Sequence, residues 1–325
     1  MKLFIAESLK KALSSDLDQL NENLEKLAKT TDGYLGDLLK FVLIGSGKRV
    51  RPALVFLASR LANPQKNDVF TVAQAVELVH IATLVHDDVI DHSALRRGQK
   101  TVSEQEGVDT AVLLGDHIFT YAFQKVAQLG NPLLIQLLAG STALMCSGEI
   151  EQLKARYKFD LSEQDYMSFI TKKTATLFGV SARSGAVLAG QDLTIQRALE
   201  DFGIELGIAF QIKDDLLDLT GDESIVGKTL RTDLNNGKMT LPLIHYRNQL
   251  KSNEQVSSLI ENLKHPNGQL TQLIDQMKEA GSIRYADETA KDYVKKAMSR
   301  LDALPEGSPK DLLHNLAEIL LDRNS

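Results

Sequence analysis

The chain has 325 residues, 43% of them hydrophobic and 25% charged, so it is long enough to bury a large core and has an ordinary globular composition. A formal net charge of −6 excludes a basic field that would hold nucleic acid non-specifically. Cys146 is the only cysteine, which excludes a disulfide framework and a thiolate metal cage and suits a reducing compartment. We therefore expect a cytoplasmic protein without a nucleic-acid partner.

The N-terminal stretch, MKLFIAESLKKALSSDLDQL, has too short an apolar segment for a secretory signal and carries acidic residues early. No apolar run along the sequence approaches the roughly 18 residues of a spanning helix. We therefore expect a soluble protein with no transmembrane segment. Transient contact with a membrane surface stays open, because a lipid substrate or product would require it.

Helical periodicity dominates the chain, with apolar residues recurring at intervals of three and four between charged ones. The predicted helices cover 3–29, 34–44, 50–62, 69–92, 108–128, 132–155, 163–189, 193–219, 239–251, 254–263, 268–280, 282–303 and 309–322. Alternating stretches typical of β-strands are missing from the sequence, and only 7 prolines interrupt it. The predicted fold class is all-α.

The breaks between these helices predict one domain. Those at 62–68, 130–132 and 305–309 are short and do not resemble flexible linkers. The longest irregular piece is TGDESIVGKTLRTDLNNGK, at 220–238. A loop of that length in a compact helical domain is more often functional than idle. We therefore predict a single domain, 1–325, with a functional loop near its C-terminal third.

Two acidic triplets with the same spacing each close an apolar helix. Their members are Asp87, Asp88 and Asp91 in the first, and Asp214, Asp215 and Asp218 in the second. At about 100° per helical residue, the first and last members of a triplet share one helix face. Like charges placed so destabilise a helix, more when they are partly buried, so a cation must compensate. Oxygen ligands favour Mg²⁺, which commonly bridges carboxylates to phosphate oxygens.

A solvated helix end is the alternative interpretation of either triplet taken alone. Two such motifs, each after a long apolar helix and each followed by basic residues, favour a metal site instead. The sequence contains neither an EF-hand loop nor two histidines at i, i+4 beside a glutamate, so calcium-loop and zinc sites of those kinds are excluded.

Basic residues bracket both triplets. The segment SGKRVRP contributes Lys48, Arg49 and Arg51. It lacks the residue spacing of a phosphate-binding loop. A glycine followed by cations at the start of a helix is nevertheless a plausible anion-binding site. The remaining candidates are His80, Arg96, Arg97, Lys173, Thr174, Gln211, Lys228 and Lys238. Each cation taken alone is more often a solvated surface charge, and His80 taken alone is interpreted as a core histidine. Together they suit a polyanion such as diphosphate.

The ordered motifs GSGKRVRP, DDVIDHSALRRG, KKTATLF, FQIKDDLLD and GKTLRTDLNNGKMTLP resemble the trans-isoprenyl diphosphate synthase family, of the polyprenyl or farnesyl diphosphate synthase type. The resemblance spans nearly the whole chain. It implies the isoprenoid synthase fold, with antiparallel helices around a deep central cavity, usually as a homodimer; 108–128 is a candidate dimer face. It also implies head-to-tail condensation of isopentenyl diphosphate with an allylic diphosphate such as farnesyl or geranyl diphosphate.

The resemblance also implies roles for individual residues. Two to three Mg²⁺ ions would be held by Asp87, Asp91 and Asp214, with Asp88 and Asp218 assisting. The allylic diphosphate would be held by Arg96, Lys173, Lys228 and Lys238, with Thr174 and Gln211 beside the reacting carbons. Isopentenyl diphosphate would be held by Lys48, Arg51, His80 and Arg97.

Helix geometry predicts the length of the product. One helical turn is about 5.4 Å, comparable to one extended isoprene unit. The residues one turn below Asp87 are Ala82 and Thr83, both small. An aromatic side chain there would floor the cavity early, as in the short-chain farnesyl synthases of the family. We therefore predict a product longer than geranylgeranyl, of the kind that becomes a quinone side chain.

Four other functions stay as alternatives. A short-chain farnesyl or geranylgeranyl synthase would share every motif. A terpene cyclase or head-to-head synthase would not need a separate isopentenyl diphosphate site. A non-catalytic partner subunit of a prenyl synthase should have lost acids or lysines, and none is missing here. A helical scaffold gives no reason for two acidic triplets at the edge of the core.

Overall fold

The computed structural model describes residues 7–44, 47–96, 98–221, 232–264 and 270–321. Its α-helices are α1 (Glu7–Thr30), α2 (Gly33–Leu43), α3 (Val50–Ser59), α4 (Lys66–Ile90), α5 (Val102–Glu106), α6 (Val108–Ala127), α7 (Pro132–Ala155), α8 (Glu163–Ile170), α9 (Thr176–Leu188), α10 (Leu193–Thr220), α11 (Thr232–Asn235), α12 (Leu241–Gln249), α13 (Asn253–Lys264), α14 (Leu270–Glu279), α15 (Ser282–Arg300) and α16 (Ser308–Leu321). A π-helical turn, Thr171–Ala175, joins α8 to α9, and a 3₁₀ turn, Leu301–Ala303, follows α15. The predicted all-α fold class is confirmed.

A short antiparallel hairpin departs from the prediction that the chain has no strands. Its strands are β1 (Leu95–Arg96) and β2 (Gln99–Lys100), and they follow the first triplet directly. Each is two residues long, which is too short to produce an alternating pattern in the sequence. The predicted irregular piece at 220–238 is also corrected in part, because α11 forms a helical turn within it.

The sequence predicts one helix over 163–189, whereas the structure divides this range into α8, the π-helical turn and α9. Ser162 begins α8 with a capping box, in which its hydroxyl accepts from the Asp165 N–H and the Asp165 side chain accepts from the Ser162 N–H. The π turn widens the helix without breaking it, so the apolar periodicity hardly changes. Such turns are frequent at functional sites, and this one carries Lys173 and Thr174.

The core has two packed regions that meet along α10. The larger one joins the inner faces of α1–α4, α6, α7, α9 and α16, with Phe178 and Phe202 among its fully buried side chains. The smaller one joins α8, α12, α14 and α15 to the C-terminal half of α10. The last turns of α10, which carry the second triplet, are joined to α8 by the hydrogen bond of Tyr166 to Asp215 and to α15 by the ion pair of Lys213 with Asp287.

Two helices are long and apolar enough to cross a membrane by length and composition, α4 and α7. In α4, 67% of the apolar window is buried inside the fold, as expected of a core helix. In α7 only 33% is buried, and Leu144 and Ile150 are exposed. The helix α7 therefore presents an apolar face that no described part of the chain covers.

Candidate active site

The first triplet lies at the C-terminal end of α4, with its members in three different surroundings. Asp87 is half-buried and Asp88 is buried. Arg96 on the hairpin donates from Nε to both carboxylate oxygens of Asp88, at 2.8 and 2.9 Å. The hairpin that the sequence does not predict therefore places Arg96 against the triplet. Burial raises the pKa of Asp88, while the charge and hydrogen bonds of Arg96 act in the opposite direction.

Asp91 follows the last turn of α4 and is held by two cations. Arg156, at the end of α7, donates from Nη2 to Asp91 Oδ1, and Lys238 Nζ lies 3.2 Å from Asp91 Oδ2. Burial alone would raise the pKa of Asp91, but Lys238, Lys173 and Arg156 together hold it below its usual range. Asp91 is therefore an ionised carboxylate with a partner on each oxygen.

The second triplet lies in the last turns of α10. Asp214 is half-buried, whereas Asp215 and Asp218 are buried. Asp215 accepts from the Tyr166 hydroxyl at 2.6 Å and from Gln211 Nε2 at 2.8 Å. Burial, reinforced by the nearby charges of Asp233 and Asp214, raises the pKa of Asp215 to about 8.

Lys238 links the two triplets. Its Nζ lies 3.2 Å from Asp91 Oδ2 and 3.3 Å from Asp233 Oδ1. The N–H of Asp233 in turn donates to Asp218 Oδ2 at 3.2 Å. Burial would lower the pKa of Lys238, but Asp233 and Asp91 raise it above its usual range, so the side chain is a firm cation. Lys238 and Asp233 therefore connect Asp91 of the first triplet to Asp218 of the second.

The segment before Lys238 is held by the turn after α7. The N–H of Tyr157 donates to the Gly237 carbonyl at 2.9 Å. Gly237 has φ +68°, and a Cβ there would lie 2.5 Å from the Tyr157 ring. Only glycine suits this position, because it meets both the left-handed backbone and the close approach of the ring.

The π-helical turn brings Lys173 between Asp87 and α7. Lys173 Nζ forms an ion pair with the buried Glu149, lies 4.0 Å from Asp87 Oδ2 and donates to Gln152 Oε1 at 3.2 Å. The backbones meet closely here, because a Cβ on Gly148 would lie 2.8 Å from the Lys173 N. Burial raises the pKa of Asp87 to about 6, with Lys173 lowering it and Glu149 raising it.

Thr174 and Gln211, predicted to lie beside the reacting carbons, are in contact. The Thr174 hydroxyl donates to Gln211 Oε1 at 2.7 Å, and Thr174 is buried. The π turn and α10 are therefore joined through polar groups on the site side of the bundle.

The basic residues around the start of α3 lie in different environments. Arg49 is buried and paired with the buried Glu77 at 2.6 Å, which makes it part of the core. Arg51 is also buried, with its guanidinium carbon 4.6 Å from the centre of the Phe178 ring on α9, a cation–π contact. Lys48 and His80 are half-buried, on the segment before α3 and on α4.

The residues predicted to control chain length lie on α4. Ala82 is fully buried, and Thr83 is half-buried with its hydroxyl donating to the His80 carbonyl at 2.7 Å. Both remain small at this level of the helix, as the sequence shows. Two other predicted site residues, Arg97 and Lys228, lie outside the described residues.

The donor set suits Mg²⁺, because it offers carboxylate oxygens, and because burial of Asp87 leaves a charge that a cation would relieve. Among the described residues, no three His, Cys, Asp or Glu side chains are close enough to hold a metal ion alone. Mg²⁺ usually takes only one or two protein carboxylates and completes its shell with water and substrate phosphates. The arrangement therefore fits a metal that arrives with a diphosphate.

Four functional candidates emerge only from the structure. They are Glu149, Arg156, Tyr166 and Asp233. Asp233 lies within the motif GKTLRTDLNNGK, so the motif contains a signal for it. The other three touch site residues through contacts that are distant in sequence, and no local pattern distinguishes them from surface or core residues.

Comparison with known proteins places this geometry in a family. The family model for polyprenyl synthetase matches residues 33–279. The chain is 35% identical over 325 residues to octaprenyl diphosphate synthase of Haemophilus influenzae, covering 99% of this chain and 98% of the relative. It is 37% identical over 307 residues to heptaprenyl diphosphate synthase component 2 of Geobacillus stearothermophilus, covering 94% and 95%.

A solved structure agrees over the full length. The polyprenyl synthase from Caulobacter crescentus CB15, complexed with calcium and isoprenyl diphosphate, superposes with a TM-score of 0.91 at 31% identity, covering 100% of both chains. The family match, the relatives and the common fold confirm the resemblance that the motifs indicate. The chain belongs to the polyprenyl synthetase family and is a prenyltransferase.

Proposed function

We propose that this chain is a long-chain trans-polyprenyl diphosphate synthase, which joins isopentenyl diphosphate head-to-tail to an allylic diphosphate and repeats the addition. The observation that carries the proposal is the link through Lys238, which joins Asp91 of the first triplet to Asp233 beside the second. Carboxylates from two helices with cations between them suit a diphosphate held with divalent metal ions. The names of the relatives, and the calcium and isoprenyl diphosphate of the Caulobacter structure, support the same reaction class.

We assign two to three Mg²⁺ ions to Asp87, Asp91 and Asp214, with Asp88 and Asp218 assisting. When bound, Mg²⁺ neutralises charge that develops on the departing diphosphate. The protein adds fixed positive charge from Arg96, Lys173 and Lys238. This charge can stabilise the negative charge that develops on the diphosphate as its C–O bond breaks. Lys228, predicted for the same substrate, stays a prediction.

Breaking the C–O bond of the allylic diphosphate leaves an allylic cation. Water would capture this cation unless the site excludes water. Thr174 and Gln211 present oxygen dipoles beside the position proposed for this cation. Lys48, Arg51, His80 and Arg97 are assigned to isopentenyl diphosphate, whose double bond attacks the cation. We assign the proton that leaves afterwards to the released diphosphate.

We propose a product longer than geranylgeranyl, because the α4 residues one turn below Asp87 are Ala82 and Thr83. A growing tail that descends beside α4 meets no aromatic side chain from these two positions. The octaprenyl and heptaprenyl relatives support the same length class. A quinone side chain is the use that we propose for such a product.

We further propose a homodimer built on α6 and α7. Val108 and Leu113 on α6 are 53% and 67% exposed, and Leu144 and Ile150 on α7 are 47% and 55% exposed. Exposed apolar side chains on two neighbouring helices are typical of an obligate protein interface. The cytoplasmic location expected from the sequence stays a prediction.

The test is incubation of the purified protein with isopentenyl diphosphate, farnesyl diphosphate and Mg²⁺, with products separated by mass. A ladder that ends beyond geranylgeranyl is the expected result. A ladder that stops at geranylgeranyl would support the proposed reaction but contradict the proposed product length. Absence of product with geranyl or farnesyl diphosphate would favour a partner subunit, and mixing with a catalytic synthase would then show whether its product changes.

A further inference from the structure

Two pairs of consecutive residues connect the end of α7 to the segment after α11. Arg156 and Tyr157 follow α7, and Gly237 and Lys238 follow α11. Tyr157 contacts Gly237, while Arg156 and Lys238 each pair with one oxygen of Asp91. The contact between Tyr157 and Gly237 therefore joins the two backbone segments that carry the cations on Asp91.

Gly237 ends α11 in a Schellman motif. Its N–H donates to the Leu234 carbonyl at 3.1 Å, and the Lys238 N–H donates to the Asp233 carbonyl at 2.9 Å. Gly237 has φ +68°, the left-handed conformation that this motif requires of its glycine. The motif fixes the backbone of Lys238 relative to α11. Because α11 has only 4 residues and a helix that short is unstable alone, its position depends on contacts with other parts of the fold.

Tyr157 supplies such a contact from a strained backbone conformation. Its φ is +59°, which is unusual for a bulky side chain. Its N–H donates to the Gly237 carbonyl at 2.9 Å, outside its own helix. Its ring also packs on Gly237, since a Cβ there would lie 2.5 Å from the ring. Strain of this kind persists only where the surroundings compensate for it, and it is frequent at functional sites.

We propose that Tyr157 is a positioning residue that holds Gly237 in place and thereby fixes Lys238 beside the first triplet, ready to bind the allylic diphosphate. This role rests on the proposed function, which assigns Lys238 to that substrate. The contact consists of a backbone N–H, a carbonyl and a neutral ring, so it does not depend on the ionisation of the triplets or on a metal. A lysine that is already held in place loses less conformational entropy when the diphosphate binds.

Tyr157→Gly removes the ring and also the strain, because glycine adopts the left-handed conformation readily. We therefore expect no fall in the melting temperature, while kcat/KM for farnesyl diphosphate falls by about tenfold, the scale of one charge-assisted hydrogen bond. KM for isopentenyl diphosphate, which is assigned to other residues, should change by less than about twofold. Calorimetry should show inorganic pyrophosphate with Mg²⁺ binding about tenfold more weakly. Tyr157→Phe keeps the ring and should recover most of these losses.

Gly237→Ala disturbs the same contact from the other side, because its methyl group would collide with the Tyr157 ring. Gly190→Ala is the matched control. Gly190 ends α9 in the same motif at φ +65°, but a Cβ there would meet no other part of the described chain within 4 Å. Both variants introduce the same backbone strain, so only Gly237→Ala should weaken the binding of pyrophosphate.

Lys238→Met decides whether Tyr157 acts through the lysine. Once Lys238 is replaced, Tyr157→Gly should weaken pyrophosphate binding by less than about a further twofold, because the group that it positions is gone. A further tenfold loss would overturn the inference while the wild type still makes prenyl diphosphates. Equal losses from Gly237→Ala and Gly190→Ala would overturn it as well.

If Tyr157→Gly fails to fold, the same cycle of Gly237→Ala with Lys238→Met decides, and additive losses in that cycle would overturn the inference. A wild type that makes no prenyl diphosphate would refute the proposed function. Pyrophosphate binding by these variants would then still decide whether Tyr157 positions Lys238.

Discussion

Arg156 holds Asp91 across 65 residues of sequence, from the end of α7 to the end of α4. With Lys238 on the other oxygen, both acceptors of the Asp91 carboxylate are occupied by cations. A metal ion that takes Asp91 as a ligand must therefore displace one of these cations or share an oxygen with it. At the metal site that we propose, Arg156 would therefore compete with the metal for Asp91.

Arg156→Gln should lower the Mg²⁺ concentration that gives half of the thermal stabilisation in the presence of inorganic pyrophosphate. The reason is that the variant has a shorter, uncharged polar side chain and removes the competing charge. We expect a shift of about two- to tenfold, the scale of a partly screened ion pair. Lys154→Gln, which removes an exposed charge two residues away, is the control and should cause no shift. A higher Mg²⁺ requirement in Arg156→Gln would show that the arginine binds pyrophosphate instead.

Asp87→Ala and Asp214→Ala should each lower turnover by at least about 100-fold, because the charge on the leaving diphosphate loses part of its stabilisation. Steady-state rates with saturating substrates and Mg²⁺ measure this. Chelation of Mg²⁺ should reduce the wild type to the level of the variants. Wild-type turnover in either variant would remove that residue from the metal site.

Asp87→Ala should also change the pH dependence of stability in the metal-free protein. Burial raises the folded pKa of Asp87 from 3.8 to about 6, with Lys173 and Arg96 opposing this and Glu149 and Asp91 reinforcing it. Between these pH values the unfolded carboxyl ionises and the folded one stays protonated, so the wild type loses stability as pH rises. The melting temperature of Asp87→Ala should therefore rise relative to that of the wild type from pH 4 to pH 6. A difference in melting temperature that stays constant over this range would contradict the prediction.

Ala82→Phe should shorten the product while the first condensations continue. Its ring would fill the path that lies about one turn, or one isoprene unit, below Asp87. Because Ala82 is fully buried, Ala82→Phe could unfold the protein through overpacking. The companion variant Thr83→Phe, at a half-buried position, then tests the same prediction. Product mass distributions measure the effect, and Ala82→Ser should leave them unchanged. Long products from both aromatic variants would show that the tail runs elsewhere.

Arg49→Met should destabilise the protein by about 3–5 kcal/mol, because Glu77 would remain as a buried charge without its partner. Arg49 also donates to the Leu43 carbonyl and to Asn21. The double variant Arg49→Met, Glu77→Met should recover much of the loss. The adjacent Lys48→Met should instead raise KM for isopentenyl diphosphate with little change in thermal stability. A melting temperature equal to the wild type in Arg49→Met would refute the structural role.

These neighbouring residues show what sequence could and could not predict. The periodicity of apolar residues predicts the long helices, and the repeated spacing of the acids predicts one site, because both are local patterns that burial enforces. In SGKRVRP, however, Arg49 joins the core through Glu77, a contact made by the fold rather than by neighbours in sequence. The π-helical turn, which carries Lys173 and Thr174, cannot be predicted from the sequence for a related reason. One extra residue in a helical turn barely alters the spacing of the apolar residues.

Leu113→Glu combined with Leu144→Glu should convert a dimer into monomers. The two residues are exposed on α6 and α7, and placing charge in an apolar interface is costly unless the charge is paired. Light scattering after size-exclusion chromatography measures the mass against 35.8 kDa for one chain. Leu193→Glu, at a 49% exposed leucine on α10, is the matched control and should leave the dimer intact. A monomeric wild type, or a dimer that survives both glutamates, would place the interface elsewhere and leave the apolar face of α7 to another partner.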